Sequence, residues 1–368
     1  MSIKLTIGTA IYNVGEKLLR EHTEGLLVQL TDEVELLLID DASTDNCGDI
    51  CKEYAKKNPH IRYIDMGKNQ GLSSVRNRTI EEANGKWIFF VDGDDLVSDH
   101  SVEAALSFYD ADYEVIIHDR RIFTDKMEKD PVCSVTKLIE LPKGAGRELS
   151  LSVLCQNPFN PQDFGMSKDV FYHAAWGALY RKDFLVTNNL LFPVGQKKAQ
   201  DSVFNTKVYA CSEKIAYLPY VMYYYRKNPM GITKRYSEDN AKTIDTIIKN
   251  QLDCMQTVYP DNEEVKKLYK ENRLIALTID RMRLDIFHKD NPKSRKTRVS
   301  EFRKLLDTEP YKSAIKDFDF SKSEARWWML PMEYAHRKNF TLTEMSFKYE
   351  KLSHVIGKIK IRMSRIHK

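Results

Sequence analysis

The feature that most constrains the fold is an apolar run that ends in a group of acids. Residues 87–95 read Trp-Ile-Phe-Phe-Val-Asp-Gly-Asp-Asp, so five apolar residues lead directly into three carboxylates around a glycine. An uninterrupted apolar run of this length predicts a strand that is buried on both faces of a parallel sheet. Acids at the end of such a strand repel one another unless a cation joins them. Two alternatives follow, a solvated turn and a metal site.

Strands and helices alternate along the first part of the chain. Besides the run above, short apolar runs predict strands at 3–7, 34–39, 61–64 and 114–118, and helical spacing predicts helices near 15–30, 73 and 101–110. This alternation predicts an α/β fold with a mostly parallel central sheet and flanking helices. In such sheets ligands bind beyond the carboxyl ends of the strands. The loops at 9–13, 40–45 and 92–95 are therefore expected to meet in one crevice.

The composition is that of a chain with one large or two medium domains. The 368 residues are 42% hydrophobic and 30% charged, and the net charge of +4 does not indicate a nucleic-acid partner. No apolar run approaches the roughly 20 residues that span a bilayer. No secretory signal sequence opens the chain and its six cysteines form no Cys-x-x-Cys pair, so we expect a cytoplasmic location with reduced thiols. Cys47 and Cys51 lie four apart on a predicted helix, which favours packing on one face over zinc binding.

The composition changes near residue 236. Residues 1–235 carry the strand and helix alternation, whereas apolar residues from 236 onward recur at helical spacing, as in Ile244, Ile248 and Leu252. We therefore predict an α/β domain over 1–235 and a helical region over 236–368.

The last predicted helix is basic and amphipathic. Its apolar stripe is Leu352, Val355, Ile356, Ile359, Met363 and Ile366, and the cations around it are Lys348, Lys351, Lys358, Lys360, Arg362, Arg365 and Lys368. Glu350 is the one acid among them. A helix of this kind over 348–368 can lie at the inner face of an anionic membrane, where each cation contributes about 1 kcal/mol. The alternative is packing on neighbouring helices or on a second subunit, in a homo-oligomer.

The acids at the strand ends suit a nucleotide diphosphate. Asp92 and Asp94 can hold a divalent cation through one or two oxygens, as Mg²⁺ prefers when phosphates complete its shell. Such a cation stabilises the charge that builds on a diphosphate leaving group. Asp41, or Asp40 before it, can accept a hydrogen bond from a base or ribose.

With these residues in view, the chain resembles glycosyltransferase family 2, a large bacterial group with a GT-A fold. The matching segments stand in the family's order and spacing and are Ala10–Asn13, Ile39–Asp45, Asn69–Ser73 with Arg76-Asn77, and Asp92–Asp95, the family's DxD metal motif. Members usually have Pro where this chain has Ala10. A weaker resemblance continues through Trp176–Tyr180, Gln200-Asp201 and Tyr224–Arg226.

The resemblance implies an inverting enzyme that moves a sugar from a nucleotide-sugar, most often a UDP-sugar, to a hydroxyl of a glycan or lipid-linked acceptor in cell-surface polysaccharide synthesis. It implies Mg²⁺ or Mn²⁺ bound by Asp94 and Asp92, and Asp201 as the general base, although Gln200 replaces the Glu that precedes the base in relatives. The donor contacts that it implies are Ala10, Tyr12, Asp41, Asn69, Arg76, Asp92, Gly93, Trp176 and Arg226. Tyr12 and Asp41 would hold the base, Arg76 and Asp92 the ribose-phosphate region, and Gly93 would leave room for the diphosphate.

Four of these residues also have structural alternatives. Tyr12 and Trp176 suit core packing, and Arg76 suits an ion pair that orients Asp92 or only stabilises the fold. Asp201 suits an N-cap of the helix that is predicted near Ser202, because its carboxylate can accept a free amide there.

Two other functions compete with glycosyl transfer. A nucleotidyltransferase also handles a nucleotide diphosphate with a metal, but it predicts a Gly-rich phosphate loop, and residues 6–20 contain only Gly8 and Gly15. A non-catalytic glycan-binding relative is disfavoured because every expected carboxylate is present.

Overall fold

A computed structural model describes residues 2–124, 137–227, 236–319 and 327–349. These residues divide into two compact units. One holds the described residues up to Leu154 and from Pro158 to 227, and the other holds Cys155–Asn157 with the described residues from 236 onward. Residue 235, at the predicted domain boundary, and residues 350–368 of the predicted basic helix lie outside the described residues. The division at 235/236 stays a prediction.

Strands and helices alternate through the first unit, as the sequence predicts. They are β1 (Leu5–Ile11), α1 (Glu16–Leu27), β2 (Val34–Asp40), α2 (Cys47–Lys57), β3 (Ile61–Asp65), α3 (Leu72–Glu82), β4 (Trp87–Asp92), β5 (Leu96–Val97), α4 (Ser101–Leu106), β6 (Val115–Phe123), β7 (Ile139–Glu140), α5 (Ala145–Cys155), β8 (Ala178–Arg181), α6 (Lys182–Thr187), α7 (Gln200–Cys211) and β9 (Ile215–Arg226). Cys47 and Cys51 are both buried on α2, which confirms their predicted packing on one face.

In the described part of the chain these strands form one sheet in the order β3-β2-β1-β4-β8-β6-β9-β5, with β7 paired to β9. Pairing is parallel from β3 through β4. Beyond β4 the sheet is mixed, because β8 runs antiparallel to both of its neighbours. The predicted α/β class is confirmed, and the parallel half of the sheet holds the strand ends of interest.

Strand β4 is buried on both faces, as its sequence predicts. Trp87, Phe89 and Val91 belong to the core on one face of the sheet, and Ile88 and Phe90 belong to the core on the other face. Full burial of each such side chain contributes roughly 1.5–3 kcal/mol. This packing fixes the position at which the acids leave the sheet.

The second unit is helical, as predicted. Its α-helices are α8 (Asn240–Val258), α9 (Glu263–Leu268), α10 (Ile275–Arg281), α11 (Arg295–Asp307), α12 (Tyr311–Lys316), α13 (Leu330–His336) and α14 (Phe340–Lys348). Phe287, Phe302 and Phe340 pack against one another between these helices. None of the helices in the described ranges has the length and apolar character that a membrane crossing requires.

Candidate active site

The loops that follow β1, β2 and β4 meet at the carboxyl edge of the sheet. The amide of Thr44 donates to Oδ1 of Asn13 at 2.8 Å, and the amide of Gly93 donates to the carbonyl of Ala10 at 3.0 Å. A Cβ on Gly93 would lie 3.0 Å from that same carbonyl oxygen. The predicted meeting of these loops is confirmed. The close approach of β1 accounts for the glycine, and its role beside a diphosphate stays a prediction.

Asp41 fastens a fourth loop to this edge. The carboxylate is buried and accepts the amides of Gln70 and Gly71, each at 2.7 Å. Asn69 stands exposed beside them. Tyr12 is 49% exposed, so its core alternative is wrong and its ring is open to a ligand. Contacts of these side chains with a base stay predictions.

Arg76 joins two of the predicted acids. The side chain leaves α3 and is buried, its Nη2 donates to Oδ1 of Asp92 at 2.9 Å, and its Nη1 forms an ion pair with Asp201. The guanidinium also lies 5.4 Å from the ring centre of Phe192. Burial disfavours the charged form, but Asp201 and Asp92 more than compensate and raise the pKa of Arg76. The ion-pair alternative is therefore present, and it orients Asp92.

Asp201 is a partly exposed carboxylate that is held by Arg76. The residue before α7 is Ala199, which provides no side-chain cap, so the N-cap alternative for Asp201 is wrong. The Asp201 side chain is 24% exposed. Burial raises its pKa, while the charge of Arg76 and the donated amide of Ala175 act in the opposite direction. The carboxylate is thus a stronger base than an exposed aspartate.

The other two acids of the motif differ in environment. Asp94 is exposed, whereas Asp95 is buried and accepts the hydroxyl of Tyr223 at 2.6 Å and the amide of Arg226 at 2.7 Å. Burial, followed by the charges of Asp92 and Asp94, raises the pKa of Asp95 to about 8. The repulsion from Asp92 and Asp94, together with burial, therefore outweighs the two hydrogen bonds that stabilise the ionised form of Asp95.

The donor set at this edge fits a divalent cation that is shared with a ligand. No group of three Asp, Glu, His or Cys side chains suited to hold a metal occurs among the residues that the structure describes. Mg²⁺ commonly takes one or two carboxylates and completes its shell with water and substrate phosphates. Exposed Asp94, with Asp92 two residues before it, supplies such a partial shell.

Arg226 lies against the acids. Its Nε donates to the carbonyl of Asp94 at 2.9 Å, and its Nη2 donates to Glu21 at 2.9 Å. Arg226, which the sequence predicts to lie near the diphosphate, therefore lies beside the acid motif at the carboxyl edge of the sheet. Its contact with a diphosphate stays a prediction.

Trp176 is packed in an aromatic stack. Its ring lies 4.4 Å from that of Tyr223 and 5.6 Å from that of Tyr225, both nearly parallel to it. It is buried, which agrees with the packing alternative, and a contact with a sugar stays a prediction. Tyr225 is 37% exposed, so this stack reaches solvent at its ring.

The sequence interpretation missed two residues that hold Asp95. Tyr223 bonds its carboxylate, and His22 on α1 donates from Nδ1 to its carbonyl at 2.8 Å. Burial lowers the pKa of His22 to about 4, so its Nε2 is free to accept the hydroxyl of Thr9. The run of three tyrosines before Arg226 was a usable signal, because strand alternation puts Tyr223 and Tyr225 on one face. No comparable signal marks a histidine on a helix.

Comparison with known proteins agrees with this arrangement. Residues 6–173 match the family described as Glycosyl transferase family 2. The chain is 30% identical over 239 residues to the uncharacterized glycosyltransferase EpsJ of Bacillus subtilis (strain 168), a match that covers 62% of this chain and 63% of EpsJ. It is 25% identical over 291 residues to the poly(ribitol-phosphate) beta-N-acetylglucosaminyltransferase TarS of Staphylococcus aureus (strain MW2), which covers 78% of this chain and 42% of TarS. The chain thus spans less than two thirds of the length of these relatives.

The fold has a counterpart among solved structures. The crystal structure of S. aureus TarS 1–349 in complex with UDP-GlcNAc superposes with a TM-score of 0.58 at 18% identity, over 95% of this chain and 92% of that one. The matched residues 6–173 contain the joined strand ends, Arg76 and the acid motif. Over residues 6–173 the chain is therefore similar to glycosyltransferase family 2.

Proposed function

We propose that the protein is an inverting glycosyltransferase that moves a sugar from a UDP-sugar to a hydroxyl of a glycan or lipid-linked acceptor in cell-surface polysaccharide synthesis. The observation that carries this proposal is the Arg76 guanidinium, which holds the candidate base Asp201 next to Asp92 of the acid motif. A base and a diphosphate site side by side are what a single displacement at a sugar carbon requires. The UDP-GlcNAc complex of the structural neighbour TarS supports the choice of a UDP-sugar.

Asp201 acts as the general base in this proposal. It accepts the proton of the acceptor hydroxyl as that oxygen attacks the anomeric carbon, and the bond from this carbon to the diphosphate oxygen breaks on the opposite side. The raised pKa of Asp201 favours this proton transfer. Arg76 fixes the orientation of the carboxylate throughout, because its guanidinium is itself buried and paired with Asp92.

Asp94, with Asp92, would hold Mg²⁺ or Mn²⁺. The bound cation would supply charge stabilisation for the departing diphosphate. Arg226, already in contact with the Asp94 carbonyl, would add a second positive charge at that edge. Tyr12 would pack on the base, and Asp41 with Asn69 would line the same part of the crevice.

A peripheral contact of residues 348–368 with an anionic membrane, from the cytoplasmic side, belongs to the same proposal. Helix α14 and the residue after it support this contact, because Leu342 and Met345 on the helix and Tyr349 directly after it are 38%, 46% and 45% exposed, whereas Thr343 is buried. An exposed apolar stripe beside a polar buried position suits a helix that meets a lipid surface. Such a contact would bring the site close to a lipid-linked acceptor.

The test incubates the protein with each member of a panel of UDP-, GDP- and dTDP-sugars, and separately with nucleoside triphosphates, and identifies the product that is released from each. Release of UDP or another nucleoside diphosphate, with the sugar transferred or hydrolysed, is expected for one donor. Release of pyrophosphate from nucleoside triphosphates would instead indicate a nucleotidyltransferase. Donor binding with no release under any metal would indicate the non-catalytic alternative.

A further inference from the structure

Arg120 is a half-buried cation that packs on aromatic rings and is influenced by the charge of Asp169 without forming an ion pair with it. On β6 its guanidinium lies 4.1 Å from the ring centre of Phe171 and 5.9 Å from that of Trp176. Among the described residues it forms no ion pair, and its buried Nε has no hydrogen-bond acceptor. Arginines elsewhere in the unit, such as Arg62 and Arg181, pair with carboxylates. A half-buried, unpaired guanidinium is costly, and burial lowers the pKa of Arg120.

Tyr225 connects this cation to the acid motif. β6 and β9 are paired with Arg120 opposite Tyr223 and Ile122 opposite Tyr225. The Tyr225 ring stacks on Trp176 and is 37% exposed. Burial is the main cause that raises the pKa of its hydroxyl. The nearby acids of the motif raise this pKa further, and Arg120 lowers it, so the hydroxyl lies near both groups. An exposed aromatic face and an unpaired cation therefore stand beside the proposed reaction centre.

We propose that Arg120 and Tyr225 form a subsite for a phosphate group of the acceptor. A planar guanidinium binds two phosphate oxygens at once, and packing on aromatic faces keeps it weakly hydrated and ready to do so. The Tyr225 face suits the C–H surface of the sugar or alditol that is next to the phosphate. The subsite rests on the proposed function, which assigns the donor diphosphate to Asp94 and Arg226. Arg120 is then left for a second anion.

The phosphate can come from two sources, a polymer of alditol phosphate or a lipid diphosphate that carries the saccharide. The probe is inorganic phosphate, titrated calorimetrically into the full chain with saturating UDP and Mg²⁺. We expect saturable binding that weakens at least tenfold in Arg120→Met. Arg147→Met changes an exposed arginine that pairs with Glu148 and should bind phosphate as the parent chain does.

Competition then separates the two sources. Glycerol phosphate that displaces inorganic phosphate supports an alditol-phosphate acceptor, and farnesyl diphosphate that displaces it supports a lipid-linked one. Three results would each overturn the subsite. Neither ester displaces inorganic phosphate, phosphate binding is lost when UDP is present, or Arg120→Met binds phosphate as tightly as the parent chain does. Tyr225→Leu provides a second variant should Arg120→Met fail to fold. Tyr225→Leu should keep its affinity for inorganic phosphate but lose affinity for whichever ester binds the parent chain. An unchanged affinity for that ester would mean that the Tyr225 ring does not contact it.

A failure here is distinguishable from failure of the proposed function. Donor hydrolysis is measured separately in the parent chain and in Arg147→Met, whose exposed side chain belongs to neither site and which should keep the parent's KM for the UDP-sugar. Normal donor turnover without phosphate binding overturns the subsite alone, whereas absent donor turnover in the parent chain overturns the proposed function.

Discussion

Arg76 and Asp201 form an ion pair across 125 residues of sequence. The arginine belongs to α3, which packs against strands β1 and β2 of the parallel half of the sheet, and the aspartate is the second residue of α7. One guanidinium therefore fixes Asp201 relative to Asp92. In the proposed reaction, a donor bound at the acid motif would meet a base that is already in position. Preorganisation of this kind lowers a reaction barrier because the groups need not be brought together during reaction.

Arg76→Lys should raise the pKa that governs the acid side of the rate profile. A lysine keeps one charge but cannot pair with Asp92 and Asp201 through a rigid fork, so it stabilises the ionised base less. We expect a shift of about one pH unit, equivalent to roughly 1.4 kcal/mol. The measurement is kcat against pH. Arg78→Lys, on the same helix but paired with exposed Glu81, is the matched control and should leave the profile unchanged.

Asp201→Asn should abolish transfer and keep donor binding. In the parent chain the rate falls as pH falls, because protonation removes the base, and the raised pKa places this fall at a higher pH than for an ordinary aspartate. Asparagine cannot accept the proton, so kcat should drop by about 10²–10⁴-fold and the acid limb should disappear. Calorimetry with UDP measures binding. A variant that loses UDP affinity as well as turnover would show that Asp201 has only a structural role.

Much of the fold could be predicted because burial leaves a periodic trace. The strands of the parallel half and the loops at their ends follow from uninterrupted apolar runs and from the rule that such ends share an edge. The antiparallel insertion of β8 could not be predicted, because a four-residue strand does not encode its partner. The bounds of β1 were also misplaced, since the strand runs from Leu5 to Ile11 and so ends within residues that the sequence interpretation assigned to a loop.

The site was predictable in its acids and less so in their partners. The family resemblance singled out Asp92 and Asp201, which the structure joins through Arg76, but the exposure of Tyr12 and the burial of Trp176 depend on tertiary packing. The partners of Asp95 come from α1 and β9, far away in sequence. Hydrogen bonds over such separations have no local sequence signature, because either end alone looks like an ordinary core residue.

Asp94→Ala should remove metal-dependent turnover of the UDP-sugar. The alanine leaves Asp92 as the remaining ligand of the proposed pair, and Asp92 is already bonded to Arg76. We expect a loss of about 10²–10³-fold in kcat at saturating donor, in the range for removal of one electrostatic group. Asp49→Ala, an exposed acid on α2, serves as the control. Near-normal turnover by Asp94→Ala, measured across Mg²⁺ and Mn²⁺ titrations, would remove the metal assignment.

Deletion of residues 348–368 should release the protein from anionic liposomes. The double change Leu342→Gln and Met345→Gln should weaken co-sedimentation as well, because it removes apolar area from the exposed stripe of α14. Val28→Gln, which replaces an apolar residue that is 82% exposed on the first unit, should have no effect. Unchanged sedimentation of the truncated chain, together with a smaller oligomer in light scattering, would favour packing on a second subunit.

Ala42→Gly should stabilise the crevice. Ala42, in the loop between Asp41 and Ser43, has φ of 59°, a left-handed conformation that costs an L-residue roughly 1–2 kcal/mol. Glycine removes this cost but adds about 0.4–1 kcal/mol of unfolded-state entropy. The net gain should lie between about 0 and 1.6 kcal/mol, measured by urea unfolding of the full chain. Ala55→Gly makes the same change inside helix α2, where no strain is relieved, and should lose about 1 kcal/mol. If both variants lose stability equally, the left-handed backbone at Ala42 is not a source of strain.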